Sequence, residues 1–328
     1  MRRIPLILLS AVLCAGPAAA VQGPTANERA AFVRETAEQF KLDAAGIEAA
    51  LGKAQYQQSI IDAMNRPAEA KPWKAYRPIF MTPQRISDGR KFLAEHRDAL
   101  ARVEADTGVP AEMIVAIIGV ETSYGRITGS YKVLDALYTL AFHYPKRAPF
   151  FRSELANVFA LAQEEKLDLP ALKGSYAGAM GYGQFMPSSY RNYAKDGDGD
   201  GQRDLFGNLS DVFASVANYF VAHGWTRDEP VALRAARSEG AAEFKPENLE
   251  AKFSLLELAQ KGYRPRVAVG HSIPATLLTL DGAQGTEHWI TFKNFYVISR
   301  YNRSPLYSLA VYQLSQALDD GKAASAAP

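Results

Sequence analysis

The chain has 328 residues, 48% of them hydrophobic and 22% charged, which suits one large or two to three small globular domains. Lysine and arginine number 37 against 35 acidic residues, a formal charge of +2. Nucleic-acid binding is not expected on that balance, because neutralising phosphates needs a clear basic excess.

Arg2 and Arg3 precede an apolar stretch from Ile4 to about Cys14, followed by Gly16-Pro17-Ala18-Ala19-Ala20. A positive start, a short apolar middle and an Ala-x-Ala end read as a cleaved secretory signal over residues 1–20. The stretch is too short for a good membrane span. Cys14 is the only cysteine, and Leu13 stands before it where a lipoprotein signal wants a small residue. Cleavage after Ala20 is therefore expected, and lipidation at Cys14 is not. The mature chain would hold no cysteine, which excludes disulfide and thiol chemistry, and its formal charge would fall from +2 to 0. No later segment approaches a membrane span. A soluble product outside the cytoplasm is expected.

In chain order, Ala26 to about Leu51 shows helical periodicity with a break near Leu42-Asp43. A connector containing prolines and aromatics follows, "NRPAEAKPWKAYRPIFMTPQRI". Thr82 to Thr107 again reads as helix, with Thr82 as N-cap and Pro83 in the first turn. These segments form an N-terminal helical region over residues 25–100. A core over residues 101–225 starts with the apolar helix that Pro110 opens and Glu121 ends. Helical patterns continue over 132–142, 149–165, 188–194 and 210–222, then in a helical segment over 226–265. The texture changes to β-branched and aromatic in "RVAVGHSIPATLLTLDG" and "EHWITFKNFYVISRY", a small β unit over 266–299 with Asp281-Gly282 as its turn. Residues 300–318 return to helix, and 319–328 form a flexible tail.

Glu121 ends an uninterrupted apolar run, Met113 to Val120. A carboxylate against such neighbours is costly unless it is paired or stays protonated. Two readings stand: a structural acid that caps the helix or pairs with Arg126 or Lys132, or a general acid whose proton is retained by burial. Tyr124 adds an aromatic surface of the kind sugars stack on. Residues 172–190, "LKGSYAGAMGYGQFMPSSY", interleave glycines with aromatics and one amide, Gln184. No Lys-Ser or Lys-Thr pair follows, so this is not a phosphate loop. It suits either a groove wall for an uncharged polar polymer or a tight packing loop between helices.

A further pattern lies in "KDGDGDGQRDLF". Asp196, Asp198 and Asp200 alternate, Gly201 supplies a sharp turn, and Gln202 offers a backbone carbonyl, as in the first half of a calcium-binding EF-hand loop. Gly207 stands where the bidentate glutamate belongs. Asp204 could substitute, or bind through water; an acidic surface turn is the plain alternative. Hard oxygen donors favour Ca²⁺, and no His or Cys cluster suits zinc. The histidines at 96, 143, 223, 271 and 288 read as packing or surface residues.

The stretches "GVETSYGRITGSYKVLDALYTLAFHYPKRAPFFRSEL", "LKGSYAGAMGYGQFMPSSYRNYA" and "SVANYFVAHGW" resemble the lytic murein transglycosylase B family of the lysozyme-like superfamily. The resemblance runs from about Tyr76 through Tyr307. It implies a mainly α fold, a lysozyme-like core with an extra helical domain and a small β insertion. It also implies cleavage of the β-1,4 bond between N-acetylmuramic acid and N-acetylglucosamine in peptidoglycan, in the periplasm of a Gram-negative cell. The muramyl C6 hydroxyl then attacks the anomeric carbon and leaves a 1,6-anhydromuramic end. By this resemblance Glu121 is the one catalytic carboxylate, acid first and base second. Hydrolysing glycosidases usually carry two carboxylates, about 5–5.5 Å or about 6.5–9.5 Å apart. The sequence near Glu121 offers no obvious partner, Asp135 being the nearest aspartate downstream.

Position by position, the resemblance makes Ser175 and Gln184 sugar-bonding residues beside the acid, and Tyr219 an aromatic facing it. Lys146 and Arg147 match a basic pair near the groove. Tyr76 matches a saccharide-contacting tyrosine, while Tyr301, Asn302 and Tyr307 match the far wall. In the family's variant loop the last calcium ligand corresponds to Asp211, here with one extra residue before it. The ion would be structural. Two rivals stand beside this reading: a muramidase that uses water, and a wall-binding module without catalysis.

Overall fold

The computed structural model describes residues 23–66, 71–270 and 273–319. The expected signal with Cys14, His271 and the tail after residue 319 lie outside the described residues.

Helices α1 (Ala26–Phe40) and α2 (Ala44–Leu51) part where the periodicity breaks. Lys41 turns left-handed at φ 56°, and the Asp43 carboxylate caps α2 by accepting from the N–H groups of Ala45 and Gly46. The stretch read as a connector contributes α4 (Trp73–Phe80), after α3 (Gln58–Met64). The single helix expected over residues 82–107 is two, α5 (Pro83–Glu95) and α6 (Arg97–Thr107), broken at His96 with φ −115° and ψ 18°. Thr82 caps α5 as expected, its hydroxyl accepting from Arg85 N–H. Beyond them come α7 (Ala111–Thr122), α8 (Val133–His143), α9 (Ala148–Glu164), α10 (Pro187–Tyr193), α11 (Leu209–Ala222), α12 (Leu255–Gln260), α13 (Lys293–Tyr301) and α14 (Pro305–Leu318).

The organising element is α7. Every residue from Met113 to Val120 is buried, so the helix is apolar on all faces and can only run through the core. It packs against α5, α6, α11 and α14. Each large side chain there contributes about 1.5–3 kcal/mol by leaving water. The last helix among the described residues, α14, packs against α7, α5, α4 and α13, which brings residues near 305 to the end of α7.

Two short strands, β1 (Tyr131–Lys132) and β2 (Lys173–Gly174), pair antiparallel and pull the loop after α7 onto the glycine-rich stretch. The larger sheet contains β3 (Ala232–Arg237), β4 (Tyr263–Pro265), β5 (Ala275–Gly282) and β6 (Gly285–Phe292), in the order β4-β3-β6-β5 with every pair antiparallel. It has its own core of Leu255, Leu258, Tyr263, Leu277, Ile290 and Phe292.

Three sequence expectations change here. The helical segment expected over 226–265 contains β3 and β4, with α12 as the one helix among its described residues. Its Ala-Leu-Arg-Ala-Ala-Arg run has helix-favouring residues, yet β4 and β6 pair with it on both edges, and tertiary pairing overrides local preference. The β unit therefore begins at 232 and ends at 292, because residues 293–301 form α13. Burial at Asn294, Phe295, Val297 and Ile298 follows helical spacing, not alternation. Asp281-Gly282 closes β5, and the turn itself is Ala283-Gln284.

Candidate active site

Glu121 sits in the last turn of α7, half-buried. Ser123 and Tyr124 then take left-handed conformations, at φ 52° and 63°, and turn the chain sharply away. The turn is closed by Ser123 N–H to Gly119 C=O at 3.2 Å and Tyr124 N–H to Ile118 C=O at 3.2 Å. The Thr122 hydroxyl lies 3.0 Å from Tyr182 C=O, joining the turn to the glycine-rich stretch.

A partner of the acid is Tyr307. Its hydroxyl donates to Glu121 Oε1 at 2.5 Å. Tyr307 is buried, and its phenol is pushed well above its ordinary value, first by burial and then by the Glu121 carboxylate. Tyr301 is raised for the same two reasons in the same order. Both hydroxyls therefore stay protonated donors. Tyr76, buried on α4, lies close enough to push Tyr307 further.

The glycine-rich stretch makes two tight turns. Met180 and Phe185 exchange backbone hydrogen bonds at 2.9 Å across Gly181-Tyr182-Gly183-Gln184. Gln184 has φ 50°, and its amide nitrogen donates to Thr128 C=O and Gly181 C=O, both at 3.0 Å. Its amide oxygen takes no hydrogen bond among the described residues. Ser175 Oγ accepts from the N–H groups of Ala177 and Ala179. A Cβ on Gly129 would stand 2.1 Å from the carbonyl of Gly174 and 2.5 Å from Ser175 N, so the loop after Glu121 lies directly on the Ser175 turn.

The aromatic wall is continuous. Tyr219 and Tyr301 have ring centroids 4.8 Å apart, and Phe185 meets both edgewise. The Tyr301 hydroxyl donates to Gly183 C=O at 2.6 Å, and that of Tyr219 to Arg300 C=O at 2.6 Å. Burial pushes Tyr219 up to about 12. Asn302 Oδ1 accepts from Ser304 N–H, setting up the start of α14.

The structure thus gathers Glu121, Tyr76, Ser175, Gln184, Tyr219, Tyr301 and Tyr307 into one linked region, with Asn302 at its edge. Lys146 and Arg147 are exposed on a 3-10 turn between α8 and α9, where Arg147 stacks over Phe150 at 4.5 Å. Among the described residues no hydrogen bond or ion pair joins either of them to Glu121. A cleft of about 340 Å³ between α6 and α11, lined by Arg102, Asp106, Lys195 and Asn218, does not include Glu121 either.

Several alternatives from the sequence are answered. Arg126 pairs with Asp88 at 2.7 Å, not with Glu121. Asp135 is buried and accepts from Gln55 N–H and the Gln57 amide, so it is engaged with the N-terminal region. Tyr124 is not a sugar platform: its ring is buried against α5 and its hydroxyl donates to Arg85 C=O. Sequence reasoning missed Glu154 of α9, a buried acid that accepts from Ser188 N–H at 2.9 Å and Ser188 Oγ at 2.6 Å. It caps α10 immediately after the Gln184 turn, and burial raises its pKa. No local pattern marks such a cap, because donor and acceptor are 34 residues apart.

In the acidic loop, carboxylate oxygens of Asp196, Asp198 and Asp211 lie within 4.8 Å of one another. Asp211 is fully buried, accepts from Gly197 N–H and Asp204 N–H at 2.7 Å each, and is raised by burial first and by the two other carboxylates. Asp196 accepts from Gly199, Asp200 and Gly201 N–H, which lowers it. This is an oxygen-only cradle with crowded negative charge, a donor set that fits Ca²⁺. Asp200 and Gln202 are outside that trio: the Asp200 carboxylate accepts from Gln202 N–H at 2.8 Å. Asp204 caps its own turn at Phe206 and Gly207.

A family model for the transglycosylase SLT domain matches residues 25–316. Membrane-bound lytic murein transglycosylase B of Escherichia coli (strain K12) is 42% identical over 297 residues, covering 88% of this chain and 81% of that protein. The crystal structure of the soluble lytic transglycosylase SltB1 from Pseudomonas aeruginosa is 46% identical with a TM-score of 0.83, over 88% of this chain and 97% of that one. The Escherichia coli lytic transglycosylase Slt35 in complex with calcium is 41% identical with a TM-score of 0.81, over 90% and 93%.

Proposed function

The chain belongs to the transglycosylase SLT domain family and is a lytic transglycosylase of peptidoglycan with a mainly helical, lysozyme-like fold; on that premise we propose that Glu121 alone serves as acid and then base. The carboxyl protonates the oxygen between N-acetylmuramic acid and N-acetylglucosamine as that bond breaks. The carboxylate so formed accepts the proton of the muramyl C6 hydroxyl, whose oxygen closes onto the anomeric carbon. No water is added, and the proton count balances over the cycle. The observation that carries this reading is the 2.5 Å bond by which the Tyr307 phenol steadies the acid. A fixed donor favours the carboxylate at the moment the proton leaves.

Gln184 offers its amide oxygen, and Ser175 its hydroxyl, to the sugars. Tyr219 and Tyr301 form the aromatic wall, with the Tyr219 ring stacked on His223 at 4.1 Å and both hydroxyls committed to backbone carbonyls. Tyr76 and Asn302 complete the wall. For Lys146 and Arg147, exposed on their 3-10 turn, a role as basic contacts to the glycan rests on the family resemblance. Asp196, Asp198 and Asp211 would hold Ca²⁺, with Asp200 and the Gln202 carbonyl as the remaining EF-hand-like donors, and the ion's role is structural. It would tie the segment after α10 to the start of α11.

The N-terminal pattern over residues 1–20 supports export to the periplasm by a cleaved signal, without lipid at Cys14. No helix among the described residues is long and apolar enough to cross a membrane. Mass spectrometry of digested sacculi tests the reaction: 1,6-anhydromuramic ends support it, and reducing ends would overturn it.

A further inference from the structure

Arg85 of α5 lies 34 residues before Gly119, and its guanidinium Nη1 donates to Gly119 C=O in the last turn of α7. The Tyr124 hydroxyl donates back to Arg85 C=O at 2.8 Å. The two bonds run in opposite directions between α5 and the end of α7, and together they close a ring. Gly119 C=O already accepts from Ser123 N–H at 3.2 Å, so Arg85 adds a charged donor at a helix C-terminus, where positive charge is favourable. The guanidinium is held from its other side by the Phe80 ring, 5.4 Å away.

The Tyr124 ring fills a slot that two glycines leave open. A Cβ on Gly89 would come within 2.2 Å of the hydroxyl, and one on Gly119 within 2.7 Å of the ring. Burial raises the Tyr124 phenol, which keeps it a donor at any physiological pH. The turn that this arrangement grips is strained, because Ser123 and Tyr124 both sit in the left-handed region that L side chains disfavour. Such a turn persists only when its surroundings fix it, and the carboxyl it displaces when it moves is that of Glu121.

We propose that Arg85 and Tyr124 form a reciprocal latch that fixes the last turn of α7 and so aims the Glu121 carboxyl at the reacting oxygen. Neither touches the sugars; both are positioning residues. The inference rests on Glu121 being the acid. A misplacement of about 1 Å at a reacting group lowers turnover by about 100-fold, so a loosened latch is visible in kcat.

The test uses the full chain and four variants, Arg85→Ala, Arg85→Lys, Tyr124→Phe and the double Arg85→Ala/Tyr124→Phe, with Glu121→Gln as control. Turnover and KM on purified sacculi are measured well below each variant's Tm. Arg85→Ala and Tyr124→Phe should each lower kcat by about tenfold with KM nearly unchanged, and Arg85→Lys should recover part of the loss. The double variant should be no slower than the slower single one, because either change opens the same ring. Full turnover with only a lower Tm, or losses that multiply in the double variant, would overturn the latch. The substitutions Arg85→Lys and Tyr124→Phe nearly preserve side-chain volume, which keeps the comparison usable if Arg85→Ala does not fold. An active Glu121→Gln overturns the acid assignment instead, whatever the latch variants do.

Discussion

Tyr307 and Glu121 stand 186 residues apart in the chain and 2.5 Å apart in the fold, hydroxyl to carboxylate. The contact exists because α14 packs against α7, so the acid proposed for catalysis is met by the last helix among the described residues.

Tyr307→Phe removes this donor and leaves the ring. A hydrogen bond to a charged group is worth about 2 kcal/mol, which corresponds to about 30-fold in rate. We expect that loss in kcat with little change in KM, read from sacculus solubilisation by the folded variant. Equal loss in KM alone would mean that Tyr307 binds sugar and does not serve the acid.

Chelation should lower the Tm without abolishing activity in the cold. At free calcium about 100 times its Kd, an ion bound only to the native state adds about 2.7 kcal/mol. Asp211→Asn, at the buried end of the cradle, should remove the calcium response in differential scanning fluorimetry. An unchanged Tm with chelator and with added Ca²⁺ would remove the ion from the account.

His143 makes stability depend on pH. It is buried against Tyr56 and Tyr138, and neither ring nitrogen has a hydrogen-bond partner among the described residues. Burial lowers its pKa below the ordinary 6.5. The native state then binds fewer protons than the unfolded chain, so stability is full above about 6.5 and is lost as pH falls toward the lowered value. His143→Phe should flatten that slope in urea titrations between about pH 7 and about pH 5. An identical slope in the variant would refute the assignment.

Gly129 has φ 103°, and a Cβ there would strike the Gly174 carbonyl at 2.1 Å. Gly129→Ala must push the Ser175 turn away from the loop after Glu121. We expect a destabilisation of about 2 kcal/mol by urea titration, together with a raised KM.

Much of the site was legible because its chemistry lies in local patterns. An acid at the end of an all-apolar helix, glycines spaced among aromatics and alternating aspartates are each visible within a dozen residues. The roles of the side chains were less legible. Tyr124 reads in sequence as a sugar-stacking aromatic and Tyr219 and Tyr301 as groove aromatics, yet their hydroxyls end on the backbone carbonyls of Arg85, Arg300 and Gly183. Those carbonyls come from distant elements, and no spacing rule announces them. Strand β3 was hidden for a related reason: its alanines and arginines become a strand through the partners on either edge. Glu154 and Arg85 act only on groups elsewhere in the fold, so nothing beside them in the chain marks their part.

The most direct measurement compares muropeptides released from purified sacculi by the native chain and by folded Glu121→Gln. A single acid that also serves as base predicts anhydromuramic products from the native chain and no release above background from the variant. Anhydromuramic products at an undiminished rate from Glu121→Gln would contradict it.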